Sequence, residues 1–513
     1  MAKTENQLLA EALQSASESA IGNIVYHKNI KPKQQALLNR HGYLKKIIKG
    51  WYLLDGDLST QKTGESALWY ESMWVFIEQY LSYRFKDNYW LSSEVSLDLL
   101  TDNNSMPAQI VVFVMSDEAI WTVTDLPNGM SICVTNSKNR PAGLITFRGL
   151  NVYSLENAIV SSTPISYKNN SLSMQIALKN ANFNALAEAV MNSKNIASAG
   201  RIIGAYEVLS MRAESEKLKA IMSGAGFERI KIVDPFDKPP VQFGSMIKEA
   251  ASATRVRIMW RQMRQSILDL YEGQYPEFNF NVRPIDETLA MISEVYVHDA
   301  YNSLSIEGYQ VTPDLIVRVS NGDWSPETIE RDHEAKDALA ARGYYDAFNK
   351  VLESISAAHN GGDLNLLIDI GITQWYTSLF RPCVVAGIVS DSNLAGFRKG
   401  PIYIRKSRHA PPASEQLMDC MAALKDCIAE ETSFPVKAIL AHFVLGYIHP
   451  FMDGNGRTAR FLMNFIFIVG GYKWVVIKQE TRDRYMRALE AASGDNKITP
   501  FVEFILDTIE NAK

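Results

Sequence analysis

Cysteine is scarce in this chain, with only Cys133, Cys383, Cys420 and Cys427 among 513 residues and no C-x-x-C pair. A disulfide scaffold and a paired-cysteine zinc site are therefore excluded, and the four thiols fit reduced core positions in a cytosol. Long apolar runs are missing too. The most hydrophobic stretches, 439–448 and 461–469, fall short of the roughly 18 residues that a membrane-spanning helix needs. The opening Met-Ala-Lys-Thr-Glu-Asn-Gln leads into no signal-type hydrophobic stretch, so the expected location is the cytoplasm, with no membrane partner. A strong charge of either sign is also absent. The net charge of −5 says nothing decisive about partners, because an average can hide a local basic patch. No internal repeat or low-complexity tract occurs. What remains, 47% hydrophobic and 21% charged residues over 513 positions, is a globular composition too long for one ordinary core, which predicts a multidomain chain.

The densest chemistry lies in His449-Pro-Phe-Met-Asp-Gly-Asn-Gly-Arg-Thr-Ala-Arg460. Apolar residues at helical spacing precede it, among them Ile439, Leu440, Phe443 and Val444, and an apolar run from Phe461 to Val469 follows. The polar segment therefore joins two buried helices. Gly454 and Gly456 let the backbone turn and approach a ligand, and free N–H groups at the start of the next helix attract an anion. Arg457 and Arg460 supply planar forks for phosphate oxygens. Asp453 is a hard oxygen ligand of the kind that holds a phosphate-bridging Mg2+. His449, whose ordinary pKa is near neutrality, can take a proton from an attacking hydroxyl. Together these residues point to phosphoryl or nucleotidyl transfer.

At every specified position the segment resembles the Fic-domain signature H-x-F-x-(D/E)-G-N-G-R-x-x-R. The resemblance implies a protein adenylyltransferase (AMPylase) that uses ATP with Mg2+ and has a mainly α-helical core. It assigns His449 as general base, Phe451 as the apolar anchor of the loop, and Asp453 as the Mg2+ ligand. It gives Gly454, Asn455 and Gly456 the anion hole, with Asn455 near the α-phosphate, Arg457 on the β-phosphate and Arg460 on the γ-phosphate. A Tyr, Thr or Ser hydroxyl of a target protein would attack the α-phosphate and release pyrophosphate. Three further segments extend the likeness. Ser303-Leu304-Ser305-Ile306-Glu307-Gly308 resembles the inhibitory pattern (S/T)-x-x-x-E-(G/N), which implies autoinhibition through a bidentate pair between Glu307 and Arg460. Phe397 to Arg405 alternates β-formers and reads as a short hairpin. It resembles the flap whose edge, here Ile402, Tyr403 and Ile404, docks the target by strand addition; a surface hairpin without that role is the alternative. Arg482-Asp-Arg-Tyr485-Met resembles the helix whose tyrosine lines the adenine pocket, although a methionine follows where many members have a second tyrosine. Two other histidines read more plainly, His442 as a satisfied core residue and His298 as a cap or a solvent-facing side chain.

The N-terminal region differs in character. No acidic residue lies between Glu18 and Asp55, whereas Lys33, Arg40, Lys45, Lys46 and Lys49 all fall there, a balance suited to a polyanion. Pro32 to Arg40 reads as a proline-opened helix, and Tyr43 to Ile48 with Trp51 to Leu54 as a β-hairpin. Helix and hairpin suit a winged helix on double-stranded DNA, with a merely solvated basic face as the alternative. The stretch 38–54, followed by Trp90-Leu-Ser-Ser, is loosely similar to abortive-infection type IV antitoxins and related DNA-binding regulators. The expected organisation is a winged-helix domain at 1–60, an α/β domain at 61–240 ending in a proline-rich boundary at 233–240, a helical linker at 241–283, and the Fic domain at 284–513. Three functions follow: a self-inhibited protein adenylyltransferase, which could also modify itself; a deAMPylase in which Glu307 orients water; and a DNA-binding regulator whose Fic core senses nucleotide or modifies its own chain. A homo-oligomer is compatible with each.

Overall fold

The computed structural model describes residues 4–55, 65–103, 105–227, 230–237, 249–274, 284–323, 332–394, 396–405 and 407–510. They are mainly helical with small sheets, and they form two compact units. One comprises 1–251 with 402–410, the other 252–401 with 411–513. The boundaries expected near 61, 240 and 283 lie outside the described residues.

In the first unit, Thr4 caps the helix Glu5–Ser19 and Pro32 opens the helix Pro32–Arg40. Strands β1 (Ile24–Tyr26), β2 (Leu44–Ile48) and β3 (Trp51–Leu54) form an antiparallel sheet in the order β1-β3-β2. Alternation along β3 decides its packing, because successive side chains point to opposite faces. Trp51 and Leu53 join Trp69, Phe76 and Tyr80 of the helix Glu65–Phe85, whereas Leu54 joins Ala12, Ala16 and Leu38 of the two N-terminal helices. Next come β4 (Tyr89–Leu91), β5 (Gln109–Met115), β6 (Trp121–Asp125) and β7 (Ser131–Ser137), in the order β4-β5-β7-β6 with only β5 and β7 parallel. The helix Ser93–Leu100, the hairpin β8 (Leu144–Phe147) and β9 (Leu150–Tyr153), and six helices between Leu155 and Gly224 also belong to this unit.

Two parts of the basic region are already neutralised: Lys45 pairs with Asp55 at 2.9 Å and Arg40 with Glu5 at 3.5 Å. Lys33, Lys46 and Lys49 are exposed.

The second unit is a helical bundle around the antiparallel pair Phe434–Ile448 and Asn455–Val469. Phe434–Ile448 is buried on nearly every side, as its uniform hydrophobicity requires. Around this pair lie the helices Ile285–Ile306, Asp332–His359, Leu364–Val385, Leu417–Glu430, Arg482–Asp495 and Thr499–Glu510. The helix Ala251–Gln274 lies inside the region read as a linker. It instead packs Val256, Met259, Trp260, Met263 and Ile267 into this core. Its Arg257 and Arg264 pair with Asp426 at 2.6 Å and Glu431 at 2.8 Å.

The expected flap hairpin does not form. Ile402, Tyr403 and Ile404 lie in irregular backbone, and their segment groups with the first unit. There Tyr403 stacks on Tyr70 with centroids 5.7 Å apart, the Tyr70 hydroxyl donates to the Ser407 carbonyl at 2.7 Å, and the Met106 amide donates to the Arg408 carbonyl at 2.8 Å. Side-chain stacking and isolated backbone bonds have replaced cross-strand pairing. Pro401, Pro411 and Pro412 bound the segment and contribute no N–H.

Candidate active site

The loop between the two central helices begins with a strained residue. His449 ends the first helix in the left-handed region at φ 52°, ψ 58°, which is uncommon for a side chain of its size. Arg398 holds this geometry: its Nε donates to the His449 carbonyl and its Nη1 to the Gly400 carbonyl, each at 2.8 Å, and its Nη2 donates to the Pro412 carbonyl. The Arg398 amide also donates to the Pro450 carbonyl at 2.9 Å. Phe451 anchors the next turn, stacked on Tyr376 with centroids 3.8 Å apart and planes 8° from parallel.

The His449 imidazole is oriented by a contact between Nδ1 and the Gly446 carbonyl at 3.2 Å. A hydrogen bond there places the proton on Nδ1 and leaves Nε2 with its lone pair. Burial holds the pKa of His449 below its ordinary 6.5, against the opposing pull of the Gly446 carbonyl. The ring is thus a neutral base at pH 7.

Asn455, expected near the α-phosphate, uses its side chain within the loop. Its Oδ1 accepts from the Phe451 amide at 2.9 Å and its Nδ2 donates to the Phe451 carbonyl at 2.7 Å. Both ends of the amide are spent on tying the loop. Asp453 accepts from the Gly454 amide at 2.6 Å, and its side chain is 61% exposed. Gly454 adopts φ +77°, and a Cβ there would lie 2.7 Å from the Phe380 ring. Hence turn and close packing both require glycine.

The two arginines are held differently. The Arg457 side chain is only 1% exposed, with its guanidinium between the rings of Tyr309 at 5.2 Å and Phe380 at 5.1 Å and Asp453 at 3.4 Å. Its Nε and Nη2 make no hydrogen bond among the described residues. Arg460 is engaged through two of its nitrogens: Nε donates to Ser303 Oγ at 2.9 Å, and Nη2 to the Ser303 carbonyl at 3.1 Å and to Glu307 Oε1 at 2.8 Å. The pair with Glu307 is therefore through one nitrogen, not bidentate, and that nitrogen is shared with the Ser303 carbonyl.

A helix terminus aims Glu307. The helix Ile285–Ile306 stops at Gly308, whose φ of +92° closes the turn while the Gly308 amide bonds to the Ser305 carbonyl at 3.0 Å and the Tyr309 amide to the Leu304 carbonyl at 3.1 Å. The carboxylate then lies at the start of the helix Asn455–Val469, where a Cβ on Gly456 would fall 2.4 Å from Oε1. An anion at this end interacts favourably with the helix. Burial alone would raise the Glu307 pKa, but Arg460 and, behind it, Arg457 hold it below 4.5.

Tyr485, expected in an adenine pocket, is instead 2% exposed, with its hydroxyl 2.9 Å from His442 Nε2 and its ring against Phe501 and Phe504. Burial lowers the pKa of His442 to about 3, with Arg460 adding to the effect. No local pattern singles out Tyr309, Arg398 as a clamp, or Tyr376 and Phe380, which come from two irregular segments and the helix Leu364–Val385.

The described residues contain no cluster of three or more histidine, cysteine or carboxylate side chains able to hold a metal. Nor do they include a helix long and apolar enough to cross a membrane.

A helical bundle that presents a neutral histidine, a buried guanidinium and a helix N-terminus on one short loop defines an anion-handling site suited to nucleotidyl transfer. Residues 375–467 match the model of the Fic/DOC family. The chain is 38% identical over 226 residues to the protein adenylyltransferase Fic of Aedes aegypti, covering 42% of this chain and 41% of that one. Over 130 residues it is 39% identical to the protein of the same name from Drosophila willistoni, covering 25% and 26%. It thus spans less than half the length of these curated relatives. A solved structure of Fic-1, residues 134–508, from C. elegans aligns with a TM-score of 0.37 at 18% identity, over 67% of this chain and 95% of that one.

Proposed function

We propose that this chain is a protein adenylyltransferase that moves AMP from ATP to a hydroxyl of a target protein and is held back by its own Glu307. The observation that carries the reading is the His449 loop, where a base nitrogen is left free and, among the described residues, the buried Arg457 guanidinium makes no hydrogen bond from Nε or Nη2, its Nη2 having only the longer ion pair with Asp453 at 3.4 Å. Buried polar groups are rarely left unpaired, so Arg457 reads as a donor waiting for phosphate oxygens. In the reaction a target Tyr, Thr or Ser oxygen attacks the α-phosphorus as its proton passes to His449 Nε2. The bond from that phosphorus to the bridging oxygen breaks, and pyrophosphate leaves. Arg457 stabilises the departing β-phosphate, and Gly454 and Gly456 open the helix N-terminus to the charge that develops. Asp453, one exposed carboxylate, fits a Mg2+ that takes its remaining ligands from phosphates and water; when bound, that ion would neutralise phosphate charge. Ile402, Tyr403 and Ile404 remain candidates for docking the target, and Tyr485 is packed in the core against His442, Phe501 and Phe504.

Glu307 is the brake in this reading, because it occupies the arginine and the helix end that a γ-phosphate needs. The reverse reaction, removal of AMP from a modified protein, is favoured by one feature: the Glu307 side chain is still 27% exposed, enough to orient a water. The exposed Lys33, Lys46 and Lys49 support a DNA contact by the first unit, read as a winged helix, and a salt-sensitive complex with duplex DNA tests it.

The deciding experiment incubates a host lysate with α-labelled ATP and the wild type, Glu307→Gly or Glu307→Gly/His449→Ala. Label on a lysate protein or on the chain itself in the single variant alone supports the reading. No label in any variant, despite ATP binding, shifts the assignment to AMP removal.

A further inference from the structure

The first unit contains a cavity that the His449 loop does not account for and that takes in one of the exposed lysines, Lys49. It has a volume of about 450 Å³ and lies between β1, β3 and the last turns of the helix Glu65–Phe85. That is within the range of small-ligand sites, roughly 300–1,000 Å³, and far above the voids of a packed core. Tyr26, Trp51, Tyr80 and Tyr83 form one wall, and Lys49 and Arg84 stand at its edge.

The wall is already arranged for a flat ligand. Tyr26 lies 4.7 Å from Trp51 and 4.8 Å from Tyr83 between ring centroids, and the Tyr26 and Tyr83 hydroxyls bond at 2.7 Å. An aromatic cluster is usually core, and Trp51 and Tyr80 do serve the core here. Tyr83, however, is 55% exposed, so one ring face is available to a partner. Arg84 is preset as well: its Nη1 donates to the Tyr80 hydroxyl at 2.7 Å, and its guanidinium lies 5.1 Å from the Phe85 ring centre. On the opposite side Gln35 donates to the Tyr52 hydroxyl at 2.8 Å. His27 closes the end of the cavity against Gly50, where a Cβ would meet its ring at 2.8 Å, so the turn residue must be glycine for the histidine to sit there. Among the described residues no carboxylate lines the cavity.

Aromatic faces with a cationic margin and no acidic side chain select a planar ring that carries an anionic group. We infer that this cavity binds a nucleoside phosphate, the base stacked on Tyr83 and Tyr26 and the phosphate held by Lys49 and Arg84. The same chemistry is offered by a free nucleotide and by the end of a single strand. Stacking on an exposed aromatic side chain tolerates any base, whereas cations at the margin make binding salt-dependent. The inference is independent of the reading of the His449 loop.

The test measures fluorescence anisotropy of fluorescein-labelled hexathymidylate with the full chain at low salt, with dTMP and inorganic pyrophosphate as competitors. Binding is expected to weaken about tenfold in Tyr83→Ala, consistent with alanine replacement of a stacking residue, and to persist in Tyr83→Trp. In Lys49→Ala/Arg84→Ala it is expected to weaken and to lose part of its salt dependence. All three substituted side chains are exposed, and circular dichroism checks the fold. Displacement by dTMP identifies a free-nucleotide site, and displacement only by unlabelled strand identifies a single-strand site. The inference is overturned if hexathymidylate and dTMP both fail to bind, if the Ala variants bind as the wild type does, or if pyrophosphate competes as well as dTMP.

Discussion

Removing the Glu307 carboxylate should raise AMP transfer while leaving the fold intact. In the structure the substitution removes one charge-assisted hydrogen bond, from Arg460 Nη2 to Oε1 at 2.8 Å. Arg460 is not set adrift, because Ser303 still accepts from its Nε at 2.9 Å and from Nη2 at 3.1 Å. A hydrogen bond to a charged group contributes about 1.5–3 kcal/mol. With the Glu307 side chain 27% exposed, solvent screening brings this towards the lower end, about 1.5–2 kcal/mol. If productive ATP must displace that contact, its loss converts to a gain on the order of 10- to 30-fold, since about 1.4 kcal/mol is tenfold. Initial rates of pyrophosphate release in Glu307→Gly would measure the gain, and Glu307→Gln, which keeps the shape but not the charge, should fall between it and the wild type. The contact also links stability to pH. Because the folded pKa of Glu307 is below 4.5, its contribution is present above 4.5 and lost as pH falls through the folded value. A Glu307→Gly protein that is folded, binds ATP and releases pyrophosphate no faster than the wild type would refute the reasoning.

Other consequences are equally direct. Burial holds His449 below 6.5, so the rate of Glu307→Gly should stay level from pH 8 down to about 6.5 and fall only as the imidazole gains its proton; a decline centred above 6.5 would contradict the assignment. His442 is held neutral with a pKa of about 3 against 6.5 in the unfolded chain. Its contribution to stability is therefore full above 6.5 and lost as pH falls, by about 1.4 kcal/mol per pH unit in this window. Denaturant midpoints at pH 7 and pH 5 should show a smaller drop in His442→Gln. Arg398→Ala should lower the transfer rate of the Glu307→Gly background by at least about tenfold, because mispositioning a base is costly, while the Km for ATP changes little; equal rates would show that the loop holds without its clamp.

The loop 449–460 was legible in the sequence because the residues proposed to act there are local. A turn that needs glycine at 454, a helix N-terminus, and His449, Arg457 and Arg460 all lie within twelve consecutive positions. The two flanking helices announced themselves through apolar spacing, and the hairpin β2–β3 through β-formers around Lys49-Gly50. Alternation alone misled at Phe397 to Arg405. There the partners of Tyr403 and Ser407 include Tyr70, more than three hundred residues away in sequence, and no local pattern encodes them. The same reason hid Tyr309 and Phe380 around Arg457, which come from two different elements. Asn455 and Tyr485 were assigned to ligand contacts by resemblance, and their hydrogen bonds to Phe451 and His442 became visible only in three dimensions. Residue types can identify the chemistry of a loop, but not which of its polar groups are already satisfied by the fold.

The most direct test of AMP transfer compares two labels in the Glu307→Gly protein. The chain and a candidate target would be incubated with ATP labelled at the α-phosphate or at the γ-phosphate, and protein-bound label counted after denaturation. The account predicts stable label from the α-position only, abolished by adding His449→Ala. Label retained from the γ-position, or α-label that survives loss of His449, would contradict it.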